Sequence, residues 1–114
     1  MGQIDSYQFG QIEVKGRTYR SDLIIYPDHI DEKWWRKKGH SLEIEDLEGI
    51  VKNRPEVLVV GTGQYGVMKI QQQTREYLAS LGIELMAGNT QKACEILNRM
   101  ALQRKVVAAL HLTC

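Results

Sequence analysis

The sequence predicts an α/β fold in which helices pack on a partly parallel sheet. Two apolar runs, Val57-Leu58-Val59-Val60 and Val106 to Leu112, show almost no alternation. That pattern marks strands covered on both faces. The stretches between the later strands carry apolar residues at helical spacing. The first third reads as extended. The order is therefore a β-rich beginning followed by α-β-α-β-α-β, the order of a sheet with helices crossing over it.

Each element has a local reason. Ile4 to Val14 reads as one extended stretch: Tyr7 and Phe9 share one parity, Ile12 and Val14 the other. Gly10 sits where the parity changes, so a bulge or bend is expected there. Lys15-Gly16 reads as the turn of an N-terminal β-hairpin, with Thr18-Tyr19 on the return. Leu23 to Tyr26 is a strand stopped by Pro27-Asp28. Ile30 to Trp35 is a short extended piece, ended by the basic turn Arg36-Lys37-Lys38-Gly39.

The first helix is predicted over 45–53. Leu47, Ile50 and Val51 form its stripe, acids lie in its first turn, and Pro55 follows its end. Val57 to Val60 comes next and is expected in the middle of the sheet. The second helix is predicted over 72–81, with Tyr77, Leu78 and Leu81 facing inward and Gly82 just past its end. Ile83 to Met86 is a strand. Asn89 or Thr90 can cap a third helix, whose buried stripe is Ala93, Ile96, Leu97 and Met100. Val106 to Leu112 closes the chain as a strand interrupted only by His111.

A chain of 114 residues is expected to form one domain over 1–114, with 43% hydrophobic residues for its core. Lys plus Arg number 15 and Asp plus Glu 14, a formal charge of +1. That balance removes the long-range attraction of a dedicated nucleic-acid binder. Cys94 and Cys114 form no C-x-x-C and fit a reducing compartment. No run has the length of a membrane span, and the first residues have neither an apolar nor a basic leader region. Met1-Gly2 with Ser6 matches the loose myristoylation pattern. One acyl chain anchors weakly, however, and Ile4 starts the fold. A cytoplasmic protein without membrane attachment is expected.

Three stretches invite a chemical reading. Gly61-Thr62-Gly63-Gln64-Tyr65-Gly66 spells G-x-G-x-x-G after a strand. The dinucleotide fingerprint also needs a helix opening at its third glycine. Here about five residues intervene, so no helix N-terminus would meet the phosphate. Two readings remain. One is a cradle for a smaller anion or ligand, using the backbone N–H groups of Thr62 to Tyr65 and ringed by Arg36, His40 and Thr62. The other is a turn that needs positive φ at Gly61 or Gly63.

The second stretch is Lys33-Trp34-Trp35-Arg36-Lys37-Lys38-Gly39-His40. Adjacent Trp residues on an extended chain point to opposite faces, one to the core and one to the surface near Arg36. An exposed Trp-Arg pair suits a protein-interaction hot spot, or stacking on a base. The plain alternative is a packed Trp beside a solvated basic turn. The third stretch is His111-x-x-Cys114. A strand would place these two on opposite sides, so a Cys-His pair requires the chain to break after Leu112. No His or Cys spacing suits a metal, and no metal or cofactor is expected. Cys94 flanks the stripe of the third helix and reads as a small core residue.

These segments together resemble a known family. They are F-G-x-I-x-V-x-G at 9–16, T-Y-R-S-D at 18–22, W-W-R at 34–36 with Gly39-His40, and the strand-G-T-G loop. N-T-x-x-A-x-x-x-L-N at 89–98 and V-A-A-L-H-L-T-C at 107–114 complete the set. The chain is similar, over nearly its whole length, to the small family of the human adipogenesis-associated protein and a mitochondrial complex I assembly factor. Trp34-Trp35-Arg36 departs slightly from that family's spacing.

The resemblance implies a three-layer α/β fold. Its mixed central sheet has about five strands, one antiparallel to the rest, with an added N-terminal β-hairpin. It implies roles exercised through protein partners, without established catalysis. Gly61 and Gly63 match the family's glycine loop; Arg36, Thr90, Asn98 and His111 match its recurrent polar positions. The missing mitochondrial leader argues against a complex I role.

The resulting expectation is a non-enzymatic interaction or assembly-type module with an unidentified protein partner, monomeric or weakly self-associating. It would use the surface around Trp35, Arg36 and the loop that carries Tyr65. The rival expectation is a small-ligand or anion-binding protein, or an uncharacterised enzyme, built on the glycine loop.

Overall fold

A computed structural model describes residues 4–114 of the chain. The myristoylation pattern at Met1-Gly2 lies outside the described residues. β1 (Ile4–Gln8), β2 (Gln11–Val14) and β3 (Arg17–Tyr19) form an antiparallel meander. The expected bend at Gly10 is instead a full turn. Gly10 takes φ +76°, and the chain reverses there so that Gln8 pairs with Gln11. The register irregularity falls earlier, between Ile4 and Ser6. Lys15 and Gly16 both have positive φ, 51° and 81°, as a tight two-residue hairpin loop requires.

β4 (Leu23–Ile25) and β5 (Ile30–Asp31) follow, joined through Pro27-Asp28. Next comes the two-residue β6 (Ser41–Leu42). The predicted first helix begins as a 3-10 turn, Ile44–Leu47, and becomes α1 over Glu48–Asn53. The Asp46 carboxylate accepts from the backbone N–H of Glu43 at 2.9 Å in a capping box. Arg54 adopts a left-handed conformation, φ 54°, and stops the helix before Pro55.

β7 (Val57–Thr62), β8 (Lys69–Ile70), α2 (Gln72–Ser80), β9 (Glu84–Gly88), α3 (Thr90–Met100) and β10 (Val106–His111) complete the order. Leu81 is exposed rather than inward-facing, because the helix has ended and Gly82 turns the chain at φ 75°. Thr74 takes an inward position instead, its hydroxyl donating to the Leu42 carbonyl at 2.9 Å. Asn89 is the N-cap of α3, accepting from the Lys92 N–H at 2.9 Å.

The central sheet has the order β5-β4-β10-β7-β9. β10, β7 and β9 are mutually parallel, and β4 runs against both of its neighbours, β10 and β5. One strand is therefore antiparallel to the rest. The middle strand is β10, not Val57–Val60 as expected. Both runs are apolar on both faces, and the order between them is set by tertiary pairing.

The faces alternate with period two. Leu23, Ile25, Val57, Val59, Ala108 and Leu110 join a core closed by the meander and α3. Ile24, Leu58, Val60, Val107 and Ala109 join a second core, closed by α1, α2 and Trp34. Three layers result. β6 and β8 form a separate parallel pair, unforeseen because two-residue strands leave no periodic trace.

Candidate functional site

The parallel strands β7 and β10 end together at Thr62 and His111, which pair across the sheet. Open α/β sheets place their sites beyond such strand ends. Here the space is filled by residues 112–114 of the chain itself. A Cβ on Gly63 would lie 2.1 Å from the carbonyl carbon of Cys114, and Gly63 takes φ +103°. This glycine permits backbone to pack directly on backbone.

Two of the N–H groups proposed as an anion cradle, those of Gly63 and Gln64, are already engaged, as is that of Val67 just beyond them. Gly63 N–H donates to Thr90 Oγ1 at 2.9 Å, Gln64 N–H to Thr113 O at 2.7 Å, and Val67 N–H to Cys114 O at 3.0 Å. Thr62 directs its hydroxyl to Gly88 O at 3.0 Å. α2 opens only at Gln72, six residues past Gly66, so no helix opens at the third glycine as a dinucleotide site needs. The glycine loop is a packing joint, and the anion-cradle reading finds no support in it.

Thr90, fully buried, ties this joint together. Its hydroxyl donates to His111 O at 2.5 Å while accepting from Gly63 N–H. Gly61 must lack a side chain for the same reason: a Cβ there would stand 2.9 Å from Thr90 Oγ1. Asn98 lies elsewhere. Its amide clamps β1, accepting from Ile4 N–H at 2.8 Å and donating to Ile4 O at 2.9 Å. Tyr65 points outward, 6.2 Å from the exposed Phe9.

Beside the joint is an ionic cluster that brings together Asp22, Arg36, His40 and His111. His111 Nδ1 lies 2.7 Å from Asp22 Oδ2 and 3.2 Å from Arg36 Nη2. A contact that short between a carboxylate and a ring nitrogen needs a proton between them. Nδ1–H therefore donates to Asp22, and Arg36 Nη2 is its neighbour rather than its partner. Arg36 Nη2 makes its own ion pair with Asp22 Oδ2 at 2.9 Å. The other Asp22 oxygen accepts from Leu112 N–H at 2.8 Å.

Burial pushes the Asp22 carboxyl upward. Hydrogen bonds from His111, Leu112 and Arg36 outweigh it, with the His111 charge adding to them, and hold the pKa below its ordinary value. His111 Nδ1 is thus committed to Asp22 and not to Cys114, although the strand does end before Leu112. His40 meets the His111 ring edge-on, with centroids 5.6 Å apart. His111 Nε2 and Arg36 Nη1 are buried without a hydrogen-bond partner among the described residues.

Arg36 is not the exposed partner of Trp35 that the basic stretch suggested. Its side chain is only 5% exposed. It donates twice to Gly39 O, from Nε at 3.2 Å and Nη2 at 2.8 Å, closing the 36–39 turn. Its guanidinium covers the Trp34 ring at 4.6 Å. Trp34 is itself buried, and its backbone N–H donates to Asp22 O at 3.1 Å. Residues 34 and 36 are therefore fixed on either side, and the residue between them, Trp35, stands 77% exposed.

Asp22 is the residue that sequence reasoning missed. Its signal is an aspartate immediately before a fully apolar strand, complementary to a histidine that interrupts another.

Among the described residues, no helix is long and apolar enough to cross a membrane. No group of three or more His, Cys, Asp or Glu among them is placed to hold a metal ion.

Fold and site together define a small three-layer α/β protein whose strand ends are closed by its own chain. The chain belongs to the DUF498/DUF598 family of proteins of unknown function, whose model matches residues 4–111. It is similar to the conserved hypothetical protein PH1505 from Pyrococcus horikoshii, at 25% identity and a TM-score of 0.84, covering 98% of this chain and 99% of that one. It is similar to the Rpa2829 protein from Rhodopseudomonas palustris at 27% identity and a TM-score of 0.80, covering 97% and 83%. A Bordetella pertussis protein described as a Mth938-like domain shares the fold at 22% identity and a TM-score of 0.67, covering 96% and 85%.

Proposed function

We propose that the chain is a non-enzymatic protein-interaction module, and that Trp35 is the centre of its binding surface. The observation that carries this reading is the exposed indole held between two buried neighbours, Trp34 and Arg36. An aromatic carried on a backbone already fixed before binding has only its two side-chain torsions left to order when a partner covers it, and Trp leads the residues found at interface hot spots. Asp22, Arg36 and His111 position the segment. His40 forms its exposed rim. Phe9 and Tyr65 supply a second exposed aromatic pair. The glycine loop acts through Tyr65 and through packing, with Gly61, Thr62, Gly63 and Thr90 holding the joint behind it.

The finer resemblance, to the family branch of the adipogenesis-associated protein, supports the same reading, because the roles it implies run through protein partners. A single domain over 1–114, cytoplasmic residence and a monomeric or weakly self-associating state belong to this proposal.

Affinity purification from the source cell tests it by comparing wild type with Trp35→Ala. The variant is expected to keep the wild-type unfolding midpoint and to lose its specific partners. A folded variant that retains all of them contradicts the proposal.

A further inference from the structure

A cleft of about 380 Å³ opens beside Trp35, with Trp34 and Tyr26 among its lining residues. The sequence around Trp35 is basic, yet the fold brings carboxylates to it. Asp31, Glu45, Asp46 and Glu48 line the cleft, against one ammonium group, Lys37. We propose that this cleft docks a basic peptide segment, placing a lysine or arginine side chain against Trp35 and among the carboxylates of Asp31, Glu45 and Glu48. The inference rests on the reading of Trp35 as the interaction surface, and it names the chemistry of the partner.

The carboxylates differ in what they are free to do. Asp46 is committed, accepting from the N–H groups of Lys37 and Glu43, each at 2.9 Å. Among the described residues, Glu45 and Glu48 make only long, exposed contacts, to Lys37 at 3.9 Å and Lys52 at 3.6 Å. Exposed pairs of this kind are worth little, so a guest cation can replace either without stranding a buried charge. Asp31 uses one oxygen, Oδ1, to accept from Lys33 N–H at 3.1 Å.

The aromatic side of the cleft has an internal precedent. Trp34 already carries an arginine of this chain over its ring at 4.6 Å, while the neighbouring indole of Trp35 is exposed. Cation–π attraction adds to that of the carboxylates. Trp34 lines the cleft as a buried residue and so gives Trp35 a fixed floor beside it. The volume lies at the small end of ligand sites and suits one long side chain with its flanking backbone. A nucleic acid stacking on Trp35 would bring its phosphates against these same carboxylates, which argues for the peptide.

Calorimetric titration of the full chain with capped tetraarginine and capped tetraglutamate peptides tests the inference. Saturable binding of tetraarginine alone is expected, weakened by raised salt. Trp35→Ala and the triple variant Asp31→Asn/Glu45→Gln/Glu48→Gln should each weaken it by about tenfold or more at a wild-type unfolding midpoint. Absence of saturable binding overturns the proposal. So does binding that both variants leave unchanged, tighter binding of a single-stranded oligonucleotide, or sedimentation showing that a second copy of the chain fills the cleft. Partner capture separates the two readings. If Trp35→Ala loses its cellular partners while the triple variant keeps them, Trp35 remains the surface and only the basic guest is wrong.

Discussion

Arg36 meets Asp22 at 2.9 Å with its own side chain 5% exposed and that of Asp22 20% exposed. The pair joins the turn after Trp35 to the start of β4, and through His111 to the end of β10. An ion pair of this burial is costly to break from one side, because the remaining charge keeps its desolvation without its partner. Arg36→Ala should therefore destabilise the protein by about 2–4 kcal/mol in chemical denaturation. Arg36→Lys should recover only part of this, because an ammonium cannot reproduce the planar fork that serves Asp22, Gly39 and the Trp34 ring together. An Arg36→Ala protein as stable as wild type would show that the cluster holds nothing.

Stability should also depend on pH through Asp22. Its carboxyl is held below the ordinary value of 3.8 by the hydrogen bonds that outweigh its burial. The unfolded chain therefore takes up the proton first as pH falls. The stabilisation is fully present above the ordinary carboxylate value and is lost as pH drops through the lower folded value. Denaturation midpoints followed from neutral to acid pH should converge for wild type and Asp22→Asn. Midpoints that stay parallel into acid would contradict the assignment.

The two turn glycines Gly16 and Gly63 provide a matched comparison. Both have positive φ, 81° and 103°. A Cβ at Gly16 meets nothing within 4 Å, whereas at Gly63 it would meet the Cys114 backbone at 2.1 Å. Gly16→Ala should cost about 1 kcal/mol, the conformational penalty alone. Gly63→Ala should cost roughly 3 kcal/mol or more, because residues 112–114 must also move. Thermal unfolding of the two variants measures the difference directly.

The cysteines should react in sequence. Burial, with a smaller contribution from Glu95, pushes the Cys94 thiol up to about 12. Cys114 is half-buried, and both residues are free thiols. A thiol reagent at neutral pH should modify Cys114 in the native protein and reach Cys94 only in denaturant. Prompt native labelling of Cys94 would mean that α3 is not packed as described.

Legibility in the sequence follows the range of the interaction. The runs Val57–Val60 and Val106–Leu112 were readable because each strand residue reports its own burial. Which of them lies in the middle was not, since pairing order is a property of partners far along the chain. Gly10 marks a break in the strand pattern, but a bend and a reversal need the same local chemistry. Leu81 fits the apolar stripe of α2 and is exposed because the helix stops one residue earlier. The Asp22–Arg36–His111 cluster joins residues far apart with no shared motif. Arg36 stands out in the sequence beside Trp35 and among the family's recurrent polar positions, but its burial against Asp22 has no local sign. The same gap hid the carboxylates beside Trp35, because Asp31 and the first turn of the helical segment come together only in the fold.

The division of the two tryptophans is the claim on which the account turns, and single-tryptophan proteins measure it. In Trp34→Phe, leaving Trp35, emission should be red-shifted and readily quenched by acrylamide. In Trp35→Phe, leaving Trp34, emission should be blue-shifted and quenched several-fold less. Equal quenching of the two indoles, or a protected Trp35, would contradict the presentation of Trp35 by its buried neighbours.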